Sequence, residues 1–482
     1  MPMPSSTPSP TPSEFSADLS ARFAALVGER YAIADAGGQG PYLREWRDRY
    51  HGKTPLVLLP GSVEEVAAIL RLADETRTPI VPQGGNTGLV GGQIPHATGH
   101  EIVVSLKRLD KVRAVDPEGN TLDVEAGVTL QRAQEAAEAA GRFFPLTLPS
   151  EGSCTVGGNI ATNAGGTGVI AYGNTRDLVL GLEVVLPGGR IWHGMRHLRK
   201  DNTGYDLRNL FIGSEGTLGI VTAAVLKLFP KPRSVGTAFI GVDSPAAALS
   251  LLQVARENGG GTVTAFELLP RRGVDFVLAH GADARDPLAE KYPWYILLEV
   301  SSSAELGVGE ALEAMLMQAY EKGYARDAVI AASLDQAADF WRLRELLSES
   351  QRFEGGSIKH DVSVPVRLVP AFLDKAIAAV EAFIPGSRPL PFGHLGDGNI
   401  HFNVSQPVGG DKKAFLDQWE QTNALVHGIV AEFHGSISAE HGIGQAKRAL
   451  LPGVKDPVEL AMMRSIKATL DPNGIMNPGK VL

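Results

Sequence analysis

At 482 residues the chain exceeds what one hydrophobic core supports, so two or three domains with room for a buried cofactor are expected. With 44% hydrophobic and 21% charged residues it reads as a globular enzyme, and a net charge of -9 without a basic run excludes nucleic acid and anionic membrane surfaces as main partners. The single cysteine, Cys154, excludes an internal disulfide and thiolate-rich metal clusters, and no apolar run reaches the roughly 18 to 20 residues of a membrane span.

The start, MPMPSSTPSPTPSEF, is rich in Pro and Ser and has no basic segment followed by an apolar one, so residues 1–15 are expected to be a disordered tail and the protein cytoplasmic. From Thr54 the pattern reads strand, Pro-Gly-Ser turn with Ser62 as N-cap, helix, strand. Val66, Ile69, Leu70 and Ala73 form the apolar helix face. Next come EIVVSL, a hairpin across DPEGN, a helix from Leu130 to Gly141 and a second hairpin in LVLGLEVVLPGGRIWHG. Mixed strands and hairpins imply an α+β first domain, residues 16–232. KLFPKPRSVG, with two prolines and three basic residues, marks a boundary. Beyond it, strand-helix-strand occurs twice: Val235–Val242, Ala246–Glu257 and TVTAFELL, then WYILLEV, Glu305–Gly323 and ARDAVIAA. This spacing predicts two βαβ units sharing a ferredoxin-like sheet in an α/β substrate or cap domain, residues 233–440. Residues 441–482 are predicted as a C-terminal helical segment with a turn-rich tail.

Glycine is concentrated in VPQGGNTGLVGG (81–92), PSEGSCTVGGNIATNAGGTG (149–168) and IGSEGTLGIVT (212–222). Such loops permit close backbone approach and can present successive N–H groups to an anion, for which a pyrophosphate is the natural guest. Any one cluster is more often a simple turn, but three in one domain are harder to dismiss. GTGVIA, from Gly166, fits a dinucleotide fingerprint, yet no apolar strand precedes it and no amphipathic helix follows, so a Rossmann site is not expected there.

In GHLGDGNIHFNV (393–404) the Gly-Asp-Gly centre makes a tight connection that can bring His394 and His401 together, with Asn403 on the face of His401. SAEHGIG (438–444) sets Glu440 beside His441. Two imidazoles and one carboxylate with an open position suit Zn²⁺ or a similar divalent metal, although spacing alone does not show that these segments meet. In FWRLRELLSESQRFEGGSIKHDVSVP, Arg344 and Ser348 share a helix face by i, i+4 spacing and Lys359 leads into a strand. A solvated helix face is the plain alternative.

The three loops resemble those of the vanillyl-alcohol oxidase/p-cresol methylhydroxylase family of FAD enzymes, from about Thr54 to the C-terminus. The resemblance implies a two-part FAD-binding domain and a cap. It implicates Pro82, Gly84, Gly85, Asn86, Thr87, Gly88 and Leu89 around the FAD pyrophosphate. Pro149, Gly152, Ser153, Thr155, Gly158, Asn159, Thr162 and Asn163, with Glu215, Gly219 and Ile220, line the rest of the FAD path, and Asn477 returns to the flavin. Asn86 stands where some relatives carry a histidine that attaches the flavin, so noncovalent FAD is implied.

GHLGDGNIH and SAEHGIG are similar to the FAD-linked D-2-hydroxyacid dehydrogenase branch, which includes D-2-hydroxyglutarate and D-lactate dehydrogenases. That resemblance implies His394, His401 and Glu440 as metal ligands and His441 as the base. It also implies that Asn403 orients a substrate oxygen, that His441 touches the substrate, and that Arg344, Ser348 and Lys359 bind substrate carboxylate. Ser348 replaces a threonine of the family, which keeps the hydroxyl and drops the methyl. Monocarboxylate relatives lack the lysine, so Lys359 favours a second carboxylate: D-2-hydroxyglutarate leads, with D-malate shorter and D-lactate or glycolate behind. The implied chemistry is removal of the hydroxyl proton by His441 and hydride transfer from the alpha carbon to flavin, assisted by the metal. A zinc-dependent hydrolase would leave the glycine loops without a ligand, and a non-catalytic flavoprotein would not need Glu440, His441 and Lys359. The expected acceptor is an electron-transfer flavoprotein or a quinone, and a homodimer is one option for assembly.

Overall fold

The computed structural model describes residues 15–258, 260–304 and 307–482. Most of the tail expected to be disordered, and the helix start expected at Glu305, lie outside the described residues. Ser62 caps the helix Val63–Thr76 by accepting from the Glu65 N–H (3.2 Å), and Val66, Ile69, Leu70 and Ala73 are buried. This apolar stripe lies against a small sheet made of β1 (Ala32–Ile33), β2 (Val57–Leu58), β3 (Ile80–Gln83) and β4 (Ile102–Ser105), in the order β1-β2-β4-β3. β2, β4 and β3 run parallel and are buried almost throughout, as parallel strands usually are.

A second, antiparallel sheet follows: β5 (Val112–Asp116), β6 (Thr121–Glu125), β8 (Val179–Val185), β9 (Ile191–Gly194) and β10 (Ile220–Lys227), ordered β5-β6-β10-β8-β9. β7 (Arg142–Phe143) pairs separately with β11 (Phe229–Pro230). Gly166–Ala171 leads into a single helical turn, Val169–Tyr172, and forms no strand-loop-helix unit.

The third sheet has seven strands: β12 (Ser234–Val242), β13 (Thr262–Pro270), β14 (Trp294–Ser302), β15 (Asp327–Ile330), β16 (Ser357–Ser363), β17 (Arg388–His394) and β18 (Asn399–Ser405). Their order, β15-β12-β14-β13-β17-β18-β16, begins with the ferredoxin-like arrangement of the first four, in which β14 separates the parallel pair β12 and β13. The sheet then continues across a short pairing, Glu267↔His394 and Leu268↔Gly393, into three strands that carry most of the candidate site.

One face of this sheet is apolar apart from the buried His360, with Phe266, Leu268, Ile358, Ile400, Phe402 and Val404 under the helices Pro245–Asn258, Val308–Glu321, Val369–Phe383 and Trp419–Glu432. On the other face Leu269, Leu297, Leu390 and Phe392 pack under the helices Arg271–His280 and Leu334–Glu345. That cover is apolar where β13 and β14 lie and gives way to polar side chains at β16 and β18. The chain ends by returning to the first sheet: Ile80 donates to the Ile475 carbonyl (2.8 Å) and Asn477 to the Ile80 carbonyl (2.8 Å).

Candidate active site

Alternation along the strands puts Glu267 of β13, His394 of β17, His401 and Asn403 of β18, and Asp361 and Lys359 of β16 on one face of the sheet. The turn at 395–398 closes the β17–β18 hairpin with Phe392 opposite His401, so His394 and His401 are diagonal neighbours with ring centroids 5.6 Å apart. Glu440 arrives from a distant segment, its Oε1 3.7 Å from His394 Nε2. Ligand atoms of His394, His401 and Glu440 lie within 4.8 Å of one another. Their side chains keep 7, 18 and 20% of their surface exposed, so the cage has the open side a substrate needs.

Behind the cage sits a residue that sequence reading missed. Glu267 is fully buried and accepts from His394 Nδ1 (2.6 Å), which turns Nε2 toward the cage. Its other oxygen takes Arg344 Nε (2.6 Å). Burial pushes Glu267 up, yet the charges of His394 and Arg344 hold it down to about 2. Arg344 is therefore first a partner of Glu267, stacked on Phe392 at 4.8 Å, and only its terminal nitrogens are left for a substrate. Burial, Arg344 and His394 keep His401 well below the ordinary histidine value, which leaves the imidazole neutral and able to ligate.

Asp361 was also missed. Its Oδ2 accepts the N–H groups of Glu440 (2.9 Å) and His441 (3.0 Å), and its Oδ1 accepts Asn399 Nδ2 (3.0 Å). Oδ2 also faces His441 Nδ1 at 3.4 Å. Asp361 thus fixes the loop that carries the Glu440 carboxylate and orients the imidazole beside it. Burial opposes its charge, but His441, Lys447, His401 and the bonds it accepts hold it far below the usual carboxylate range. Burial lowers His441 in spite of Asp361, so the ring is neutral at pH 7, as a base must be. The hint for Glu267 was a lone acid inside an apolar strand, TVTAFELL, whereas Asp361 sits among other polar residues in SIKHDVSV and gave no such signal.

Lys359 and Asn403 are directly opposed in the β16–β18 ladder, one step beyond the pair Asp361 and His401. Lys359 Nζ donates to the Ser348 carbonyl (3.2 Å), so Ser348 meets it through its backbone. Asn403 Nδ2 is taken by Gln351 Oε1 (2.7 Å), which leaves the amide oxygen as the group able to meet a substrate. Burial, then Arg47 and Arg352, lower Lys359 to about 8.

The glycine loops converge on this cage. A Cβ on Gly84 would lie 2.4 Å from Thr155 Oγ1, and one on Gly85 2.0 Å from the Ser153 carbonyl, so the first and second loops meet backbone to backbone. A Cβ on Gly216 would strike Pro82 at 2.4 Å, which seats the third loop on the first. No N–H from Gly85 through Asn86, Thr87, Gly88 and Leu89 donates to a protein acceptor among the described residues, which suits an anionic guest. Gly85, Gly152, Ser153 and Thr155, with Lys107 and Arg132, line a cavity of about 430 Å³ just after Pro149.

Several other predicted cofactor residues use their side chains to brace the loops. Asn86, at φ 59°, donates to the carbonyls of Pro41 and Arg44 (3.0 Å each). Asn159 Nδ2 reaches Cys154 Sγ (3.6 Å), Thr162 Oγ1 donates to the Gly158 carbonyl (3.1 Å), and Asn163 Oδ1 accepts Arg176 N–H (2.9 Å). Gly219 and Ile220 enter β10, where a Cβ on the glycine would press the Val185 carbonyl at 2.9 Å. Glu215 accepts the N–H groups of Ile443 (2.7 Å) and Gly444 (2.8 Å), tying the third loop to the segment of Glu440 and His441. Asn477 Nδ2 holds the carbonyls of Gly92 and Glu215, while its buried Oδ1 has no protein partner. The Gly166 N–H donates to Glu440 Oε1 (2.7 Å), so the second loop touches the cluster of His394, His401 and Glu440 itself. FAD fits this cradle of bare backbone N–H groups, glycines without room for a Cβ and one orphaned amide oxygen.

Comparison with known proteins agrees with this geometry. Residues 231–481 match the family described as FAD linked oxidases, C-terminal domain, and residues 54–194 match an FAD binding domain. The chain is 39% identical over 460 residues to the mitochondrial D-2-hydroxyglutarate dehydrogenase of Arabidopsis thaliana, covering 95% of this chain and 80% of that protein. It is 41% identical over 445 residues to the D-2-hydroxyglutarate dehydrogenase of Xanthomonas citri pv. viticola, covering 91% and 92%. Among solved structures, p-cresol methylhydroxylase superposes with a TM-score of 0.73 at 17% identity, covering 96% of each chain. The 4-ethylphenol oxidase of Gulosibacter chungangensis gives 0.73 at 20% identity over 98% of each. These two show the shared fold.

Proposed function

The chain belongs to the FAD-linked oxidases, as an FAD-dependent oxidoreductase acting on the CH–OH group of its donor, and from that premise we propose that it oxidises D-2-hydroxyglutarate to the 2-oxo acid with the help of a divalent metal. The observation that carries the choice of substrate is the spacing of two rows on one sheet face. His401 and Lys359 stand one ladder step apart, two residues along antiparallel strands, or about 7 Å at roughly 3.4 Å per residue. A cation one ladder step beyond the histidine row, on the same sheet face, suits a hydroxy acid with a second carboxylate beyond the reacting carbon. D-malate, one methylene shorter, reaches the same cation less well, and a monocarboxylate such as D-lactate or glycolate leaves it unpaired, which typically costs about 2–5 kcal/mol.

His394, His401 and Glu440 are the residues that would hold Zn²⁺ or a similar cation, which when bound polarises the substrate hydroxyl and lowers its pKa. FAD in the glycine cradle supplies the two-electron acceptor. His441 takes the hydroxyl proton on Nε2, because Nδ1 is turned to Asp361, whose carboxylate then faces the imidazolium. Asn403 and the terminal nitrogens of Arg344 orient the first carboxylate, and Lys359 receives the second. A zinc hydrolase reading gives the three loops nothing to bind. With no nicotinamide fingerprint in the sequence, electrons are taken to leave to an electron-transfer flavoprotein or a quinone, in a cytoplasmic protein.

The test is anaerobic stopped-flow reduction of the bound flavin by D-2-hydroxyglutarate, D-malate and D-lactate, in wild type and Lys359→Met. The diacids should reduce it fastest, with most of that preference gone in the variant. Equal rates for the three acids in the wild type would sink the assignment.

A further inference from the structure

Beyond the helix Pro457–Leu470 the chain crosses from the first sheet to the loop of Glu440 and His441. Met476 forms an isolated parallel bridge with Ile80 of β3, and Asn477 Nδ2 then donates to the carbonyls of Gly92 (3.0 Å) and Glu215 (2.8 Å). Further along this tail the Val481 N–H donates to the Gly444 carbonyl (3.1 Å). The Gly444 N–H in turn donates to Glu215 Oε2 (2.8 Å), which closes a ring of hydrogen bonds through Asn477, Glu215, Gly444 and Val481. The N–H groups of Gln445 and Ala446 both donate to the Val90 carbonyl (2.9 and 3.1 Å). The segment after His441 is thus fastened to the first loop, the third loop and the tail at once.

Every non-glycine member of the ring lies in the left-handed region: Glu215 at φ 51°, Asn477 at 43° and Val481 at 64°. Asparagine adopts that region readily. A β-branched side chain there is strained, and such strain persists only where the surroundings impose it. Lys480, the residue before Val481, supplies the imposing contact. Its side chain has no exposed surface, which makes it the most deeply buried cation among the described residues. Its Nζ donates to Oε1 of Glu101 (2.9 Å), the buried residue that precedes β4, and His96 Nδ1 stands 2.9 Å from the same oxygen. The other Glu101 oxygen accepts the His96 N–H. A Cβ on Gly479, at φ 72°, would lie 2.7 Å from the His96 ring, so a glycine is what lets the tail press this close. A buried ammonium gives up its hydration and is compensated here by one buried carboxylate; moving Lys480 away would leave Glu101 without its cation, so the tail has one place to sit.

We infer that Lys480 is a positioning residue for His441: its buried ion pair with Glu101 pins the tail, and the tail, through Val481 on the Gly444 carbonyl and Asn477 on Glu215, fixes the loop that carries the imidazole. Lys359, Asn403 and Arg344, the groups given to substrate binding, make their hydrogen bonds to Ser348, Gln351 and Glu267 and none to the tail. Placement of the base and affinity for the substrate are therefore separable. A reacting group displaced by about 1 Å loses on the order of 10²-fold in rate.

This role rests on the reading of His441 as the base, and the experiment separates the two. Holoenzyme of wild type, Lys480→Met and Glu101→Gln, each checked for bound flavin by its visible spectrum, is compared by amide hydrogen exchange of peptides spanning residues 440–446 and by anaerobic stopped-flow reduction with D-2-hydroxyglutarate. In Lys480→Met, exchange in that segment should quicken by about tenfold or more while β17 and β18 stay unchanged. The limiting rate of flavin reduction should fall by about tenfold or more, with the half-saturating concentration within about threefold of wild type. Glu101→Gln, which keeps one acceptor for the ammonium, should show the same changes at smaller size, and it is the variant read if Lys480→Met does not hold flavin. Unchanged exchange in 440–446, quicker exchange with an unchanged limiting rate, or a loss carried by the half-saturating concentration overturns the positioning role and leaves the function standing. His441→Asn, run alongside, decides the reading itself: reduction at the wild-type rate would remove His441 as the base, while the exchange result still shows whether Lys480 pins the loop.

Discussion

Replacing Asp361 by asparagine tests how the site is held together. The carboxylate accepts on both sides, from Glu440 and His441 N–H groups at one oxygen and from Asn399 Nδ2 at the other. An asparagine can accept on one side only. If its oxygen keeps the backbone pair, its amide faces the Asn399 amide, donor to donor. Losing that bond costs about 1–3 kcal/mol, and the two backbone bonds each lose about 1 kcal/mol of charge assistance, roughly 3–5 kcal/mol in all. Asp361 is held far below the usual carboxylate range, so this contribution is present above about pH 4, the unfolded value, and is lost only as pH falls well below it. With the loop loosened and His441 without its ionic partner, kcat should fall on the order of 10²-fold at pH 7. The assay is a double-mutant cycle of Asp361→Asn, Asn399→Asp and the pair, read by urea midpoint and by kcat. Asn399→Asp alone sets two carboxylates face to face. The pair restores one donor opposite one acceptor and should recover about half of the lost stability, less than all because the Asn399 bond to the Val362 carbonyl (3.0 Å) is not replaced. Strictly additive losses would refute the shared hydrogen-bond account.

Further outcomes follow from the same geometry. Because Lys359 is lowered to about 8, kcat/KM for the diacid should decline as pH rises through that value, while the profile for D-lactate lacks this limb; a limb common to both acids would point to another group. Gly85→Ala, whose Cβ would stand 2.0 Å from the Ser153 carbonyl, should purify with less than a tenth of the wild-type flavin by its visible-to-ultraviolet absorbance ratio, and full retention would show that the two loops are not packed as described. Exhaustive chelation should abolish substrate reduction of the flavin, and Zn²⁺ or another divalent cation should restore it; full activity with under about 0.1 metal per chain, measured by elemental analysis, would remove the metal from the mechanism.

The cage was the more legible part of the site. A Gly-Asp-Gly turn between two histidines seven residues apart is a local device, and local backbone preference suffices to fold His394 back toward His401. The glycine loops were legible for a similar reason, since clustered glycine signals backbone packed where no Cβ fits. The roles of Asn86, Asn159, Asn163 and Glu215 within those loops were not legible: their side chains brace the loops through partners that spacing does not give. Glu267 and Asp361 escaped notice, because each acts on a partner far away in sequence. Glu267 lies 127 residues from His394, and Asp361 lies 80 from His441.

The sequence by itself determined what is short-range: the capped helices, the hairpin of the two histidines, the glycine loops, the alternation that gives each cap strand one apolar face. Those features depend on dihedral preference and on side-chain period, which neighbouring residues settle. Tertiary structure alone decided which carboxylate stands behind which imidazole, and that the glycine loops meet the segment of Glu440 and His441. Burial and charge pairing depend on distances between segments that only the folded chain brings together.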